Sequence, residues 1–155
     1  MSKTHFDLVA GSEEFYFDAE YYDYEFKSRK SDVEWYVTHY LDAKGVVLEL
    51  GVGSGRIALP AVRKGARVTG VDLSESMIEQ AEKGRARLPK SKRGALELHH
   101  ADMREFNLEA RFDLISIPFN AFMHLYTLED VDRCLTCVKE HLTEDGTLIL
   151  DVLIP

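Results

Sequence analysis

One stretch of this chain restricts its fold more than any other. The run VVLEL at positions 46–50 leads directly into a loop with glycine at positions 51, 53 and 55. A short apolar run of this kind is typical of a buried strand, and the glycines allow a tight turn and a close approach of a ligand to the backbone. A helical pattern follows at 56–64 and ends at another glycine. The stretch therefore predicts a strand, a glycine loop and a helix in that order.

The same alternation continues to the end of the chain. Further strands are predicted at 67–71, 96–100, 112–117 and 147–154. Helices are predicted at 74–83 and 127–142, with a turn at 143–146. Pro60 should kink or shorten the helix over 56–64, and Gly84 should stop the next one. Because strands that alternate with helices pair in parallel through right-handed crossovers, we predict a doubly wound α/β fold with a mostly parallel sheet.

Composition and charge exclude several classes of protein. The chain has 155 residues and a net charge of −8, so it lacks the basic surface that a nucleic-acid partner requires. It contains no apolar run near the roughly 20 residues of a membrane span, and its N-terminus does not resemble a signal peptide. Cys134 and Cys137 lie in a helical segment and are interpreted as reduced thiols. We expect a cytoplasmic protein with no membrane partner and no metal, because His99 and His100 point to opposite faces of a strand.

The first 44 residues differ from the rest of the chain. They are acidic and rich in aromatic side chains, and the segment 32–41 has the pattern of an amphipathic helix. We assign residues 1–44 to an aromatic lid or helical segment and residues 45–155 to a ligand-binding domain.

Polar residues follow the predicted strands at the point where each strand ends. Glu49 and the glycine loop at 51–55 belong to the first strand, and Asp72 closes the second. Asp102 follows the third strand and Pro118 the fourth. Ligands of doubly wound sheets bind at this carboxyl edge, and a carboxylate at the second strand end can accept two hydrogen bonds from a ribose diol.

A nicotinamide dinucleotide and S-adenosylmethionine both contain a ribose, and two residues of this chain distinguish between them. The dinucleotide fingerprint requires glycine at position 56, where this chain has Arg56. Glu49 would repel a pyrophosphate, but its charge suits a ligand with an ammonium group. S-adenosylmethionine carries such an ammonium, a ribose diol and an adenine. A nicotinamide-dependent reductase and a non-catalytic cofactor-binding or partner-regulating module remain as alternatives.

Four motifs and a final strand resemble those of the class I S-adenosylmethionine-dependent methyltransferases, which have a Rossmann-like sheet. The run LELGVGSGRIALPAVRKGARVTGVDLSESMIEQAEK is similar to their first two motifs, HHADMREF to the third and FDLISIPFNAFMHL to the fourth. HLTEDGTLILDVLIP is similar to their fifth strand, so the resemblance covers roughly residues 46–155. The stretch YYDYEFKSRKSDVEWY more loosely resembles small-molecule N-methyltransferases, including those that act on amino sugars.

The resemblance implies a set of cofactor-binding residues. Those implied at the methionine end are Glu49, Gly51, Gly53 and Gly55, with Tyr22, Phe26 and Arg29 from the N-terminal segment. Those implied around the ribose and adenine are Asp72, Leu73, Met77, Asp102 and Met103, and Pro118 after the fourth strand completes the set. His124 should lie near the transferred methyl group. It is a candidate general base, since an imidazole titrates near neutrality, although a structural histidine is the alternative.

The resemblance also implies the reaction and the class of acceptor. We expect methyl transfer by in-line displacement to a small amine or hydroxyl compound. The residues Ile117-Pro118-Phe119 do not match the Asn/Asp-Pro-Pro-aromatic motif of the DNA amino-methylating relatives.

Family members continue with two further strands that are lacking here, so the fifth strand should be an edge strand. An apolar edge of this kind predicts a homodimer, or cover by the N-terminal segment.

Overall fold

The structure is a computed structural model and describes residues 30–154. Over this range the helices are α1 (Ser31–Asp42), α2 (Ala58–Lys64), α3 (Glu75–Ala86), α4 (Lys90–Arg93) and α5 (Leu128–His141). The strands are β1 (Val47–Leu50), β2 (Val68–Asp72), β3 (Leu96–His100), β4 (Phe112–Ile117) and β5 (Leu142–Leu150). A single turn of 3-10 helix spans Ala121–His124. No helix within residues 30–154 is both long enough and apolar enough to cross a membrane.

The described strands form one parallel sheet in the order β3-β2-β1-β4-β5. This arrangement confirms the predicted doubly wound α/β fold. The chain first builds outward from β1 through β2 to β3, and then returns to the other side of β1 for β4 and β5. The strand order therefore reverses between β1 and β4, which is where doubly wound sheets bind their ligands. As predicted, β5 lies at an edge of the described sheet.

The two faces of the sheet are covered by different helices, and β1 supplies side chains to both. Val47 belongs to a core cluster with buried residues of α1 and α2, whereas Leu48 and Leu50 belong to a cluster with α5. Because successive side chains of a strand alternate between faces, Glu49 points to the same side as Val47. This alternation directs the carboxyl group of Glu49 towards α1.

Two boundaries differ from the sequence prediction for a steric reason. The helix predicted from residue 56 begins at Ala58, so Pro60 lies in its first turn, where its missing N–H needs no helical partner. Gly84 does not stop α3, which continues to Ala86. A Cβ at this glycine would lie 2.4 Å from Cδ1 of Leu59, so Gly84 instead allows α2 and α3 to approach closely.

The last strand also differs from its prediction, since it spans Leu142–Leu150 and not residues 147–154. Leu142 pairs with Phe112 and Thr147 with Leu114, so residues 143–146 form an irregularity within the strand rather than a separate turn. β4 ends at Ile117, whose partner is Leu150. Regular pairing therefore stops at Leu150 because β4 offers no further residue.

Candidate functional site

A pocket opens at the carboxyl ends of β1 to β4, where the strand order reverses. It encloses about 680 Å³ when its open mouth is included. Most of the residues that the sequence singled out contribute to its wall. They are Gly51, Gly53, Asp72, Leu73, Met77, Asp102, Met103, Pro118 and His124.

The glycine loop after β1 adopts a backbone that other residues rarely tolerate. Gly51 has φ 72° and would place a Cβ 2.7 Å from the Cβ of Ala121, which also lines the pocket. Gly53 has φ 58°, and its amide donates to Asp72 at the end of β2. Gly55 does not line the pocket, because Leu59 occupies the space beside its Cα. The first two glycines therefore shape the pocket, and the third allows α2 to pack.

The carboxylate of Asp72 is fixed at the edge of the pocket by two backbone amides. Its Oδ2 accepts from the amide of Gly53 at 2.7 Å, and its Oδ1 accepts from the amide of Ser74 at 2.9 Å. Burial raises the pKa of Asp72, and these two amide hydrogen bonds oppose that shift. Each carboxylate oxygen can still accept another hydrogen bond, so the group can receive a diol.

Asp102 is held by an arginine that the sequence analysis did not identify. The guanidinium of Arg104 lies 2.7 Å from Oδ2 of Asp102 and 2.7 Å from Oδ1 of Asp130, at the start of α5. The hydrogen bond from Arg104 lowers the pKa of Asp130. This bridge orients the carboxylate of Asp102 at the pocket and offsets part of its charge.

Glu49 does not line the pocket, in contrast to the glycines that follow it. Its side chain is 1% exposed and accepts a hydrogen bond of 2.9 Å from the hydroxyl of Tyr40 in α1. The same hydroxyl is hydrogen-bonded to Ser116 of β4. Burial raises the pKa of Glu49 to about 8. Burial therefore favours the protonated form of this carboxyl group, and a nearby cation would favour the ionised form.

Arg56 fastens α1 to the loop that follows β1. Its guanidinium forms a two-pronged ion pair with Asp32 of α1, at 2.6 and 3.2 Å. The same group lies over the ring of Phe119, 4.4 Å from its centroid. Position 56 thus carries a side chain that joins three segments, where a dinucleotide site would need glycine.

His124 lines the pocket from the 3-10 turn after β4. Burial lowers the pKa of its imidazole, so the ring is neutral at physiological pH and able to accept a proton. Its Nδ1 lies 3.3 Å from the hydroxyl of Tyr126. The remaining predicted contacts, Tyr22, Phe26 and Arg29, lie outside the described residues.

The fold and the pocket together define a Rossmann-like domain that can receive a nucleoside at the end of β2. Residues 47–146 match the family described as a methyltransferase domain, and the chain belongs to this family. The family resemblance and the fold class predicted from the sequence are thereby confirmed.

Several known proteins are similar to this chain. The cypemycin N-terminal methyltransferase of a Streptomyces species is 30% identical over 124 residues, which is 79% of this chain and 48% of that protein. The dTDP-3-amino-3,4,6-trideoxy-alpha-D-glucopyranose N,N-dimethyltransferase of Streptomyces venezuelae is 25% identical over 127 residues, which is 82% of this chain and 50% of that protein. The crystal structure of the glycopeptide N-methyltransferase MtfA with S-adenosylmethionine aligns with a TM-score of 0.71 at 30% identity, covering 78% of this chain and 53% of that one. This chain spans about half the length of these relatives.

Proposed function

We propose that this chain binds S-adenosylmethionine in the pocket at the ends of β1 to β4 and transfers its methyl group to a small molecule. The observation that carries the proposal is the carboxylate of Asp72, which two backbone amides hold at the pocket edge beside the glycine loop. Structures of MtfA with S-adenosylmethionine, S-adenosylhomocysteine and sinefungin support the assignment, since that protein is 30% identical to this chain.

The residues of the pocket fit the parts of this cofactor. Asp72 accepts hydrogen bonds from the ribose hydroxyls, and Leu73 and Met77 provide apolar contacts for the adenine. Met103 packs against the adenine ring, and Asp102 accepts from its exocyclic amine while Arg104 holds the carboxylate in place.

The glycine loop receives the methionine end of the cofactor. Gly51 and Gly53 leave room for a ligand to approach the backbone, because neither carries a Cβ. Glu49 is buried and does not line the pocket, so it acts on the methionine end without direct contact and only in its ionised form. An ammonium nearby favours the ionised form of the glutamate.

The chemistry needs a positioned acceptor and a place for its proton. The bound cofactor supplies a methyl group activated by its sulfonium. A nucleophile lone pair forms the new bond to the methyl carbon, while the electrons of the carbon–sulfur bond remain on sulfur. His124 accepts the proton of an amine acceptor, since its lowered pKa keeps the ring neutral. Holding the two reacting groups in line contributes much of the rate.

We propose an amine as the acceptor, with a hydroxyl compound as the second candidate. The three similar proteins named above are all N-methyltransferases or N-terminal methyltransferases by name. A nucleic-acid acceptor does not fit the net charge of −8. Salt-sensitive binding of duplex DNA at physiological ionic strength would contradict this part of the proposal.

The proposal is tested by calorimetric titration of the 155-residue chain with S-adenosylmethionine, S-adenosylhomocysteine and NADH. We expect saturable binding of the first two and none of NADH. Binding of NADH alone would favour a reductase, and a folded chain that binds none of them up to millimolar concentration would refute the proposal. Release of S-adenosylhomocysteine in the presence of a panel of small amines would exclude a non-catalytic module.

The role of His124 is tested by His124→Gln in that same assay. A general base contributes on the order of 100- to 10,000-fold to the rate, so kcat should fall by a factor in this range. His99→Gln is the matched control, because His99 lies on β3 outside the pocket wall and pairs with Glu97. An unchanged kcat in the His124 variant would assign a structural role to this ring.

We further propose the arrangement around this domain. Residues 1–44 cover the domain formed by residues 45–155, and Tyr22, Phe26 and Arg29 contact the methionine end. Buried Tyr36 and Tyr40 of α1 support such a cover. The edge position of β5 in the described sheet favours a homodimer, and we propose a cytoplasmic location for it. Light scattering at several concentrations tests the homodimer, because a monomer at every concentration would contradict it.

A further inference from the structure

The turn after β4 has a strained backbone and forms part of the pocket wall. Phe119 and Asn120 both have left-handed φ angles, of 55° and 59°. This region is sparsely populated by residues other than glycine, and it is especially unfavourable for a bulky side chain. Phe119 lines the pocket, and Ala121, the residue after Asn120, also lines it and lies close to Gly51. The position of this turn therefore shapes the part of the pocket wall beside the glycine loop.

One carboxylate holds both strained residues. Asp151 follows β5 directly, and its Oδ2 accepts from the amide of Phe119 at 2.8 Å. Its Oδ1 accepts from the amide of Asn120 at 2.6 Å. Hydrogen bonds to an ionised acceptor are roughly twice as strong as neutral ones, so this pair can offset the cost of the left-handed backbone. Only a carboxylate presents two acceptor oxygens, since the amide nitrogen of an asparagine would face a backbone N–H.

The same carboxylate also binds α1. The hydroxyl of Tyr36 donates to Oδ2 of Asp151 at 2.9 Å. One turn earlier in α1, Asp32 binds Arg56, which lies over the ring of Phe119. Tyr36 and Asp32 lie four residues apart on one face of α1, and both are thus connected to the Phe119–Asn120 turn. Tyr36 is connected through Asp151, and Asp32 is connected through Arg56 and the ring of Phe119.

We infer that Asp151 is a positioning residue for the cofactor pocket, because it holds the Phe119–Asn120 turn in its left-handed form and joins that turn to α1. The inference rests on the proposed binding of S-adenosylmethionine. Without this carboxylate the turn relaxes, and the wall made by Phe119 and Ala121 moves relative to the glycine loop.

The inference is tested by calorimetric titration of S-adenosylhomocysteine into the wild-type chain, Asp151→Asn and Asp145→Asn. Asp145 is an exposed carboxylate of β5 away from the turn, so its variant matches the change in charge. We expect the Kd of the Asp151 variant to rise by about tenfold, as for the loss of one charge-assisted hydrogen bond, and that of the control to stay within twofold.

A rescue distinguishes positioning from a general loss of stability. Adding Asn120→Gly to the Asp151→Asn variant allows the left-handed backbone without the carboxylate, so it should recover part of the affinity. If Asp151→Asn does not fold, Tyr36→Phe removes only the hydroxyl from the network and should raise the Kd by about threefold. Equal affinity of wild type and the variants at residues 151 and 36 would overturn the inference alone. A wild-type chain that does not bind would overturn it together with the proposed function.

Discussion

The proposed adenosine side of the pocket, around Asp72 and Asp102, and the proposed methionine side, around the glycine loop and Glu49, are built in different ways. On the adenosine side, Asp72 bonds to amides that are 2 and 19 residues away in the sequence, and Asp102 bonds to an arginine two residues later. On the methionine side, Tyr40 reaches Ser116 across 76 residues and Tyr36 reaches Asp151 across 115 residues. The first side is therefore assembled from consecutive motifs, whereas the second depends on the packing of α1 against strands from the other end of the chain.

This difference means that substitutions on the two sides of the pocket should have different effects. The adenosine side relies largely on backbone amides and on a sheet that is already complete, so we expect it to form whenever the domain is folded. The methionine side relies on side chains of a single helix, and its carboxyl group, that of Glu49, is buried with a raised pKa. Substitutions on the first side should affect affinity directly, and those on the second should act through the docking of α1.

The largest effect is expected for Asp72→Ala. The variant removes the acceptor for the ribose and also leaves the amides of Gly53 and Ser74 without their carboxylate. Loss of these hydrogen bonds should cost roughly 1–3 kcal/mol of binding free energy. Calorimetry with S-adenosylhomocysteine measures this loss, and Glu75→Ala, an exposed carboxylate three residues later, is the control. An affinity that falls equally in both variants would mean that the effect is not local to the adenosine side.

A somewhat smaller effect is expected at the boundary between the two sides, for Gly51→Ala. The new Cβ would meet Ala121 at 2.7 Å in a backbone with φ 72°, so the variant has both strain and a clash. We expect the free energy of unfolding to fall by about 2 kcal/mol. Gly65→Ala is the matched control, because φ is 116° there and nothing lies within 4 Å of the added Cβ. Chemical denaturation of both variants separates the clash from the strain, and equal losses would contradict the packing of Ala121 on the loop.

A pH dependence is expected on the methionine side from Glu49, whose pKa burial raises to about 8. An acid with a raised pKa in the folded state stabilises the chain most below its ordinary pKa, and this contribution is lost as the pH rises towards 8. The slope is at most about 1.4 kcal/mol per pH unit. Glu49→Gln should flatten this part of the curve in denaturation experiments at several pH values. Asp72 shifts in the same direction, so the difference between wild type and variant isolates Glu49.

The titration of Glu49 should also affect ligand binding: stability falls as the pH rises, whereas the affinity for the ligand should increase. A ligand ammonium favours the ionised glutamate, so the affinity for S-adenosylhomocysteine should rise between about pH 6 and pH 8, in keeping with the pKa of Glu49. Binding should release a proton, which calorimetry in buffers of different ionisation enthalpy detects. The Glu49→Gln variant should release fewer protons on binding the same ligand. Identical proton release by the wild type and the variant would show that Glu49 does not interact with the ammonium of the ligand.

The smallest effect is expected for Asp32→Asn in α1. Its ion pair with Arg56 is partly exposed, with side chains 30% and 14% accessible to solvent. We expect a loss of about 0.5–1 kcal/mol in the free energy of unfolding and a change in Kd of a few fold. Glu34→Gln on the same helix is exposed and serves as the control. A loss in binding as large as that of Asp72→Ala would mean that the docking of α1 governs both sides of the pocket.

The sequence alone predicted the fold and the position of Asp72 and Asp102 at the carboxyl edge of the sheet, because these signals are local. Alternating strands and helices, the glycine loop and Asp72 all fall within short stretches whose meaning does not depend on distant residues. Even the position of Glu49 was foreseen, but its orientation was not, since the strand period directs it towards α1 and away from the pocket wall.

The contacts that join distant segments could not be predicted in this way. Nothing near Asp151 in the sequence indicates that its carboxylate accepts hydrogen bonds from the amides of Phe119 and Asn120. Arg104 has a carboxylate two residues away, and this spacing is the one signal that could have identified it. The glycines at 55 and 84 were taken for a ligand loop and a helix end, whereas both make room for Leu59.

The hydrogen bond between Tyr36 and Asp151 has a consequence for how this domain folds. Its two residues are separated by 115 positions, so the contact closes almost the full length of the described chain. Closing so long a loop adds only slightly to the entropic cost compared with a shorter one, but contacts of this separation form late in folding. During synthesis, α1 leaves the ribosome before its partner at the end of β5. We therefore expect the ability to bind cofactor to appear with the slowest phase of refolding, after the sheet itself has formed.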